Sequence, residues 1–158
     1  MMTRAARWRK VTRAVLLGWT VAFLATSPFQ ICEVWRNSGR SLTLLVSALG
    51  YGFAVWFLLT LAGALLTWIC IATPIAIFIH PQRLLRRRGL VIGLSIAAAL
   101  LVVAYQLHIW THWYHDGVGL MNFAIYALFA TVFSGTAAYA YLRSLESSWT
   151  RSQASDHS

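Results

Sequence analysis

The feature that most constrains this fold is the length of the stretches that lack charged side chains. Residues 41–79, 89–107 and 118–142 contain no Asp, Glu, Lys or Arg, and residues 11–32 contain a single arginine. A run of about 18 or more apolar residues is long enough to cross the hydrocarbon core of a bilayer as a helix. The sequence therefore predicts an all-α, polytopic membrane protein, in which residues 1–158 form a single integral membrane domain.

The composition agrees with this class. The chain is 59% hydrophobic and only 11% charged, whereas a soluble domain carries about 25% charged residues. A transmembrane β-barrel would show short segments that alternate between apolar and polar residues, and these runs do not alternate. Four transmembrane helices are expected, over residues of about 14–35, 42–70, 89–110 and 119–142.

The second run is too long for one simple span, because at about 1.5 Å per residue it exceeds a core of about 30 Å. One alternative is two short spans with a turn near Ala62 and Gly63. The other is one long span to about Cys70, followed by a short cytoplasmic interfacial segment, IATPIAIFIHPQ, in which Thr73-Pro74 and Pro81 mark the bend and the stop.

Basic residues decide between these alternatives, because loops rich in Lys and Arg stay on the cytoplasmic side. One cluster precedes the first span, and a second follows the long run: Arg4, Arg7, Arg9, Lys10 and Arg13, then Arg83, Arg86, Arg87 and Arg88. A single span between the clusters keeps both on one side. We therefore expect a multi-pass protein of the cell inner membrane, with both termini cytoplasmic and residues 144–158 forming a disordered tail.

The basic clusters also indicate partners. The net charge is +9, but no soluble stretch is long enough to form a nucleic-acid-binding domain. The arginines from Arg83 to Arg88 are instead expected to attract anionic lipid headgroups.

The first segment resembles a secretory signal in its basic start and apolar centre. Because Pro28 would follow the cleavage site, we expect this segment to remain as an uncleaved span that bends near Pro28.

Small residues spaced four apart predict where the helices pack, since they allow backbones to approach closely in lipid. The fourth span carries Ala130, Ser134 and Ala138. The third span carries Gly93 and Ala97. The second span offers further pairs of this kind: Gly50 with Ala54, and Ala48 with Gly52. Such faces serve packing within the chain, a membrane-protein partner or a homo-oligomer equally well.

The candidate site is the segment HIWTHWYHDG. His108, His112 and His115 have the i, i+4, i+7 spacing that places side chains on one helix face, and Asp116 follows. Imidazole and carboxylate ligands suit a divalent transition metal such as Zn or Cu. The alternative is an interfacial belt, in which Trp, Tyr and His lie at the wet end of a membrane helix. The sequence favours the belt, because no second set of ligands accompanies the histidines.

The remaining chemistry is sparse. Cys32 and Cys70 are the chain's two cysteines, and their assigned positions at opposite ends of the first two spans make a disulfide improbable on distance. No charged residue is expected in the middle of the membrane, which argues against a proton pump or an ion-coupled transporter.

The sequence thus favours a non-enzymatic component, such as an assembly factor, a complex subunit or an immunity-type protein. The alternatives are a metal-binding or redox membrane protein using the histidines, and a small oligomeric transporter.

Overall fold

The computed structural model describes residues 3–37, 42–113 and 120–155, and every element in these ranges is a helix. The long helices are α1 (Arg4–Asn37), α2 (Leu42–Thr67), α5 (Arg88–Trp113) and α6 (Leu120–Ser155). Between α2 and α5 lie a π-helix (Trp68–Ala72) and two short helices, α3 (Thr73–Phe78) and α4 (Pro81–Arg86).

The helices include four stretches that are long and apolar enough to cross a membrane. These stretches are Arg4–Arg36, Leu49–Phe78, Arg88–Gln106 and Phe123–Ser148. The prediction of an all-helical protein with four potential membrane spans is therefore confirmed. The first stretch is helical throughout, including at Pro28.

The long uncharged run forms one continuous helical stretch. Residues of α2 are helical through Ala62 and Gly63, so the alternative of a turn at that point is wrong. The stretch also continues beyond Cys70, through the π-helix and α3 to Phe78. Within the segment predicted to be interfacial, residues 71–82, the chain is helical up to Phe78, extended at Ile79 and His80, and helical again from Pro81.

A π-helix explains why the chain does not break at Pro74. Proline lacks an N–H and its ring collides with the carbonyl of residue i−4. The wider turn lets the Thr73 N–H and the Thr73 hydroxyl both donate to the Trp68 carbonyl, five residues back, the hydroxyl at 2.7 Å. Pro81 does end the stretch, since the residue before a proline prefers an extended backbone and His80 adopts one, with ψ of 133°.

The end of α6 corrects the prediction of a disordered tail over residues 144–155, because the helix continues to Ser155. Leu145 is only 3% exposed and belongs to the apolar core. Lys10 of α1 donates to the Ser144 carbonyl and to the Ser148 hydroxyl. Apolar burial and these contacts offset the conformational entropy lost when the segment becomes ordered. The polar composition of the segment does not by itself indicate that it is helical.

The four long helices pack in the order α2, α1, α6, α5. Helix α1 has its most extensive contact with α6 and also contacts α2, while α5 packs on α6. The two central helices approach closely at Gly18 of α1, where an added Cβ would lie 2.8 Å from both the Ala137 Cβ and the Phe133 carbonyl oxygen of α6. The α1–α6 contact therefore requires glycine at this position.

Aromatic side chains join α2 to its neighbours. Phe23 of α1 packs edge-on against Phe53 and Phe57, with ring centroids 5.4 and 5.7 Å apart. Trp56 turns towards α6 and meets Tyr126 and Phe129 at 5.0 and 5.5 Å. Edge-to-face pairs of this kind each add about 0.5–1.5 kcal/mol beyond the contribution of their burial. Aromatic packing therefore helps to hold α2 against α1 and α6.

Candidate functional site

Most of the predicted histidine site lies outside the described part of the chain. His115 and Asp116 fall in the gap between α5 and α6, and for His112 only the backbone is described. His108 lies on α5 and is exposed. Among the described side chains, no group of three His, Cys, Asp or Glu residues is placed to hold a metal. The metal site and the interfacial belt both remain predictions.

The two cysteines agree with the expectation that no disulfide joins them. Cys32 on α1 and Cys70 in the π-helix are both free thiols with exposed positions. In a chain whose outer surface is apolar, exposed thiols on helices behave as small apolar side chains.

A cleft lies between α2 and α5, and α6 forms its floor. Thr60, Gly63 and Ala64 line the α2 wall, and Ser95 and Ala98 line the α5 wall. Its surface is mostly apolar, with hydroxyl groups that donate within their own helices: Thr67 to the Gly63 carbonyl, Ser95 to that of Val91, and Ser134 to that of Ala130. The cleft thus offers a mostly apolar surface lined by small side chains and by aromatic rings of α6, among them Phe129 and Phe133.

The floor of this cleft is the small-residue stripe predicted on the fourth span. Ala130 and Ser134 are 8% and 7% exposed, and Ala138 lines the same cleft. Neighbouring positions also make close helix contacts: Ala137 lies against Gly18 of α1, and a Cβ added to Gly135 would lie 3.4 Å from Ile96 of α5. The sequence therefore identified the buried side of α6 but not the residues at its interfaces.

The volume of the cleft is 240 Å³.

Helix α5 has a second exposed face, opposite the cleft. Gly93 and Ala97 are exposed there, and Ala104 continues the face two turns beyond Ala97. A Cβ built on Gly93 would meet no other element within 4 Å. No residue in the most apolar part of α5 is buried, although this stretch is fully described. The chain thus leaves a small-residue helix face uncovered.

The basic clusters come together at one end of the molecule. Arg7 of α1 donates to the Ala76 carbonyl of α3 at 3.3 Å. Trp8 and Trp68 pack beside this contact, with ring centroids 5.3 Å apart. Because Lys10 reaches the last turns of α6 as described above, this end unites the start of α1, the segment after α2 and the end of α6.

Two surface cavities lie among the arginines at this end. The larger, of 620 Å³, is formed by α4, the start of α5 and the end of α6, and Arg88 and Arg143 line it with Leu85, Ile92 and Leu142. Arg83, Arg86 and Arg87 line the other, of 530 Å³. The sequence indicated the arginines but not the grouping of Arg143 with Arg88, since these residues are 55 positions apart and meet only in the fold.

The fold and these sites define a class of protein: an all-helical chain with four helices able to cross a membrane. Comparison with known proteins finds no matching family, no matching curated protein and no matching solved structure. The function of the chain must therefore be argued from its own geometry.

Proposed function

We propose that the chain is a non-enzymatic component of the cell inner membrane that binds a transmembrane helix of a partner protein. It acts as a complex subunit, an assembly factor or an immunity-type protein. The observation that carries this proposal is the uncovered face of α5 formed by Gly93, Ala97 and Ala104. Helices associate in lipid through close packing, and small residues allow the backbones to approach.

The environment of α5 supports the choice of this face. Within the described ranges, the one extensive contact of α5 with a long helix is that with α6. The face that carries Gly93, Ala97 and Ala104 lies on the side of α5 away from the cleft. Exposed leucines flank the small residues there, at Leu90, Leu94 and Leu101, and can pack around an incoming helix.

The proposed orientation places both termini in the cytoplasm. Its support is the single basic end, at which the arginine segment and the basic start of α1 lie together. Four crossings return the chain to the side on which it started, and the positive-inside rule assigns that side to the cytoplasm. A reporter active only in the periplasm should be inactive after Ser158 and active within residues 37–40; the reverse pattern would overturn this orientation.

The partner is tested by native mass spectrometry of protein extracted from its own membrane in a mild detergent. We expect wild type to retain another membrane protein and Gly93→Leu to lose it, because a bulky side chain holds the two backbones apart. Ala25→Leu is the matched control, since Ala25 is exposed on α1 away from this face. A wild-type protein that is always alone, or equal retention by both variants, would contradict the proposed partner site.

A further inference from the structure

The groove formed by α4, the start of α5 and the end of α6 has the composition of an amphiphile-binding site. Arg88 and Arg143 supply its positive charge, and Leu85, Ile92 and Leu142 supply an apolar surface. Gln82 and Tyr139 add hydrogen-bonding groups. Its volume of 620 Å³ is large enough for a headgroup and its glycerol linkage.

We propose that this groove binds one anionic phospholipid, whose phosphate is held between Arg88 and Arg143. Guanidinium groups form paired, charge-assisted hydrogen bonds to phosphate oxygens. The apolar residues would contact the glycerol linkage and the first part of the acyl chains. This site narrows the general expectation of lipid attraction to one groove, and it does not depend on the partner helix proposed above.

The position of the groove argues for a lipid as the source of the phosphate. Arg88 is the first residue of the third apolar stretch, and Arg143 lies five residues before the end of the fourth. Ends of membrane-spanning helices lie near the lipid headgroups, so the groove is expected at that depth. Tyr139 is 55% exposed one helical turn deeper than Arg143, in the interfacial position that tyrosine favours.

The charges around the groove also favour an anion. Glu146 also lines the groove, and its negative charge offsets the positive charge of one of the two arginines. The nearby cavity lined by Arg83, Arg86 and Arg87 has no acidic residue in its lining, so the surroundings remain positive. Basic groups near a membrane surface each strengthen attraction to anionic lipid.

The test measures lipid binding to the purified full chain by native mass spectrometry in a mild detergent. Phosphatidylglycerol is titrated, with phosphatidylcholine of the same acyl chains as the neutral comparison. We expect one tightly retained phosphatidylglycerol per chain. The double variant Arg88→Gln/Arg143→Gln should weaken this binding at least about tenfold, because two phosphate contacts are lost.

The matched control is Arg83→Gln/Arg87→Gln, which removes the same number of positive charges from the neighbouring cavity and leaves the lining of the groove intact. It should weaken binding less than about threefold, since only general attraction is lost. Arg143→Lys tests geometry at constant charge and is expected to bind more weakly than wild type. Circular dichroism and gel filtration identify variants that fail to fold, and Arg143→Lys then decides the proposal.

Three outcomes would overturn the proposal. Equal losses in the two double variants would show diffuse attraction without a site. Equal retention of phosphatidylcholine would show that the negative headgroup is not recognised. Displacement of the lipid by millimolar glycerol phosphate would show a site for a soluble phosphate compound.

Discussion

At the scale of single residues, one glycine decides the central contact. Gly18 has no room for a methyl group, because both the Ala137 Cβ and the Phe133 carbonyl would lie at 2.8 Å. Gly63, also in the middle of a helix, has nothing within 4 Å of a built Cβ. Comparing substitutions at Gly18 and Gly63 therefore separates the effect of close packing from the general effect of glycine on helix stability.

We expect Gly18→Ala to lower the free energy of unfolding by about 1–3 kcal/mol, the usual cost of overpacking. Gly63→Ala should leave it unchanged or raise it by up to about 1 kcal/mol, because alanine is the better helix former. Thermal unfolding in detergent, followed by circular dichroism, checks both variants. An unchanged midpoint for Gly18→Ala would contradict the close α1–α6 contact.

The histidine segment gives a second prediction at this scale. If it binds a metal, His108, His112 and His115 act as a set, so His112→Ala should remove most of the affinity. Binding should also fall on acidification, because a protonated imidazole cannot donate to a metal. A zinc or copper titration of wild type and His112→Ala at neutral and acidic pH checks this. Weak binding in every sample would instead support the interfacial belt.

At the scale of elements, the segment that contains α4 carries a density of charge found nowhere else in the sequence. Four arginines lie within residues 83–88, with no acidic residue among them. Each basic residue close to a span favours the cytoplasmic side. This segment and the start of α1 are expected to act together in setting orientation, because they lie at the same end of the fold.

Replacing Arg83, Arg86, Arg87 and Arg88 together by glutamine should therefore give a mixed orientation. A reporter active only in the periplasm, fused after Ser158, should change from inactive to partly active. Replacing Arg143 and Arg151 by glutamine is the control, since the first span and its flanking charges usually dominate orientation. An unchanged orientation in the quadruple variant would show that the α1 cluster is sufficient alone.

At the scale of the whole molecule, α1 and α6 form the centre to which the outer helices attach. Lys10 joins the first and last helices through the Ser144 carbonyl and the Ser148 hydroxyl. Gly18 and Ala137 continue the same interface two turns further along. Loss of the Lys10 contacts should therefore loosen the two ends of the chain together.

We expect Lys10→Met to lower the free energy of unfolding by about 1–2 kcal/mol, since hydrogen bonds made by a charged group are lost. Arg9→Met removes the same charge from an exposed neighbour and should have little effect. Hydrogen exchange of the last turns of α6, measured by mass spectrometry, should rise in Lys10→Met alone. Equal exchange in the two variants would contradict the anchoring role of Lys10.

The sequence by itself determined the helical class, the four apolar stretches and the two basic clusters. These properties depend on run length and local composition, because a bilayer requires about 20 consecutive apolar residues in a helix. It also identified the buried side of α6 through Ala130 and Ser134, and the stop at Pro81. Each of these signals is contained within a few helical turns of the chain.

Only the tertiary structure decided which residues meet across helices. The sequence pointed to Ala130, Ser134 and Ala138 for packing, whereas the tight contact belongs to Gly18 and Ala137. Lys10 contacts Ser144 on the last helix, and Arg88 and Arg143 line one groove, only because the fold brings these distant residues together. The physical reason is that such contacts depend on how each helix is rotated and displaced against its neighbour, and spacing along one helix does not encode that relation.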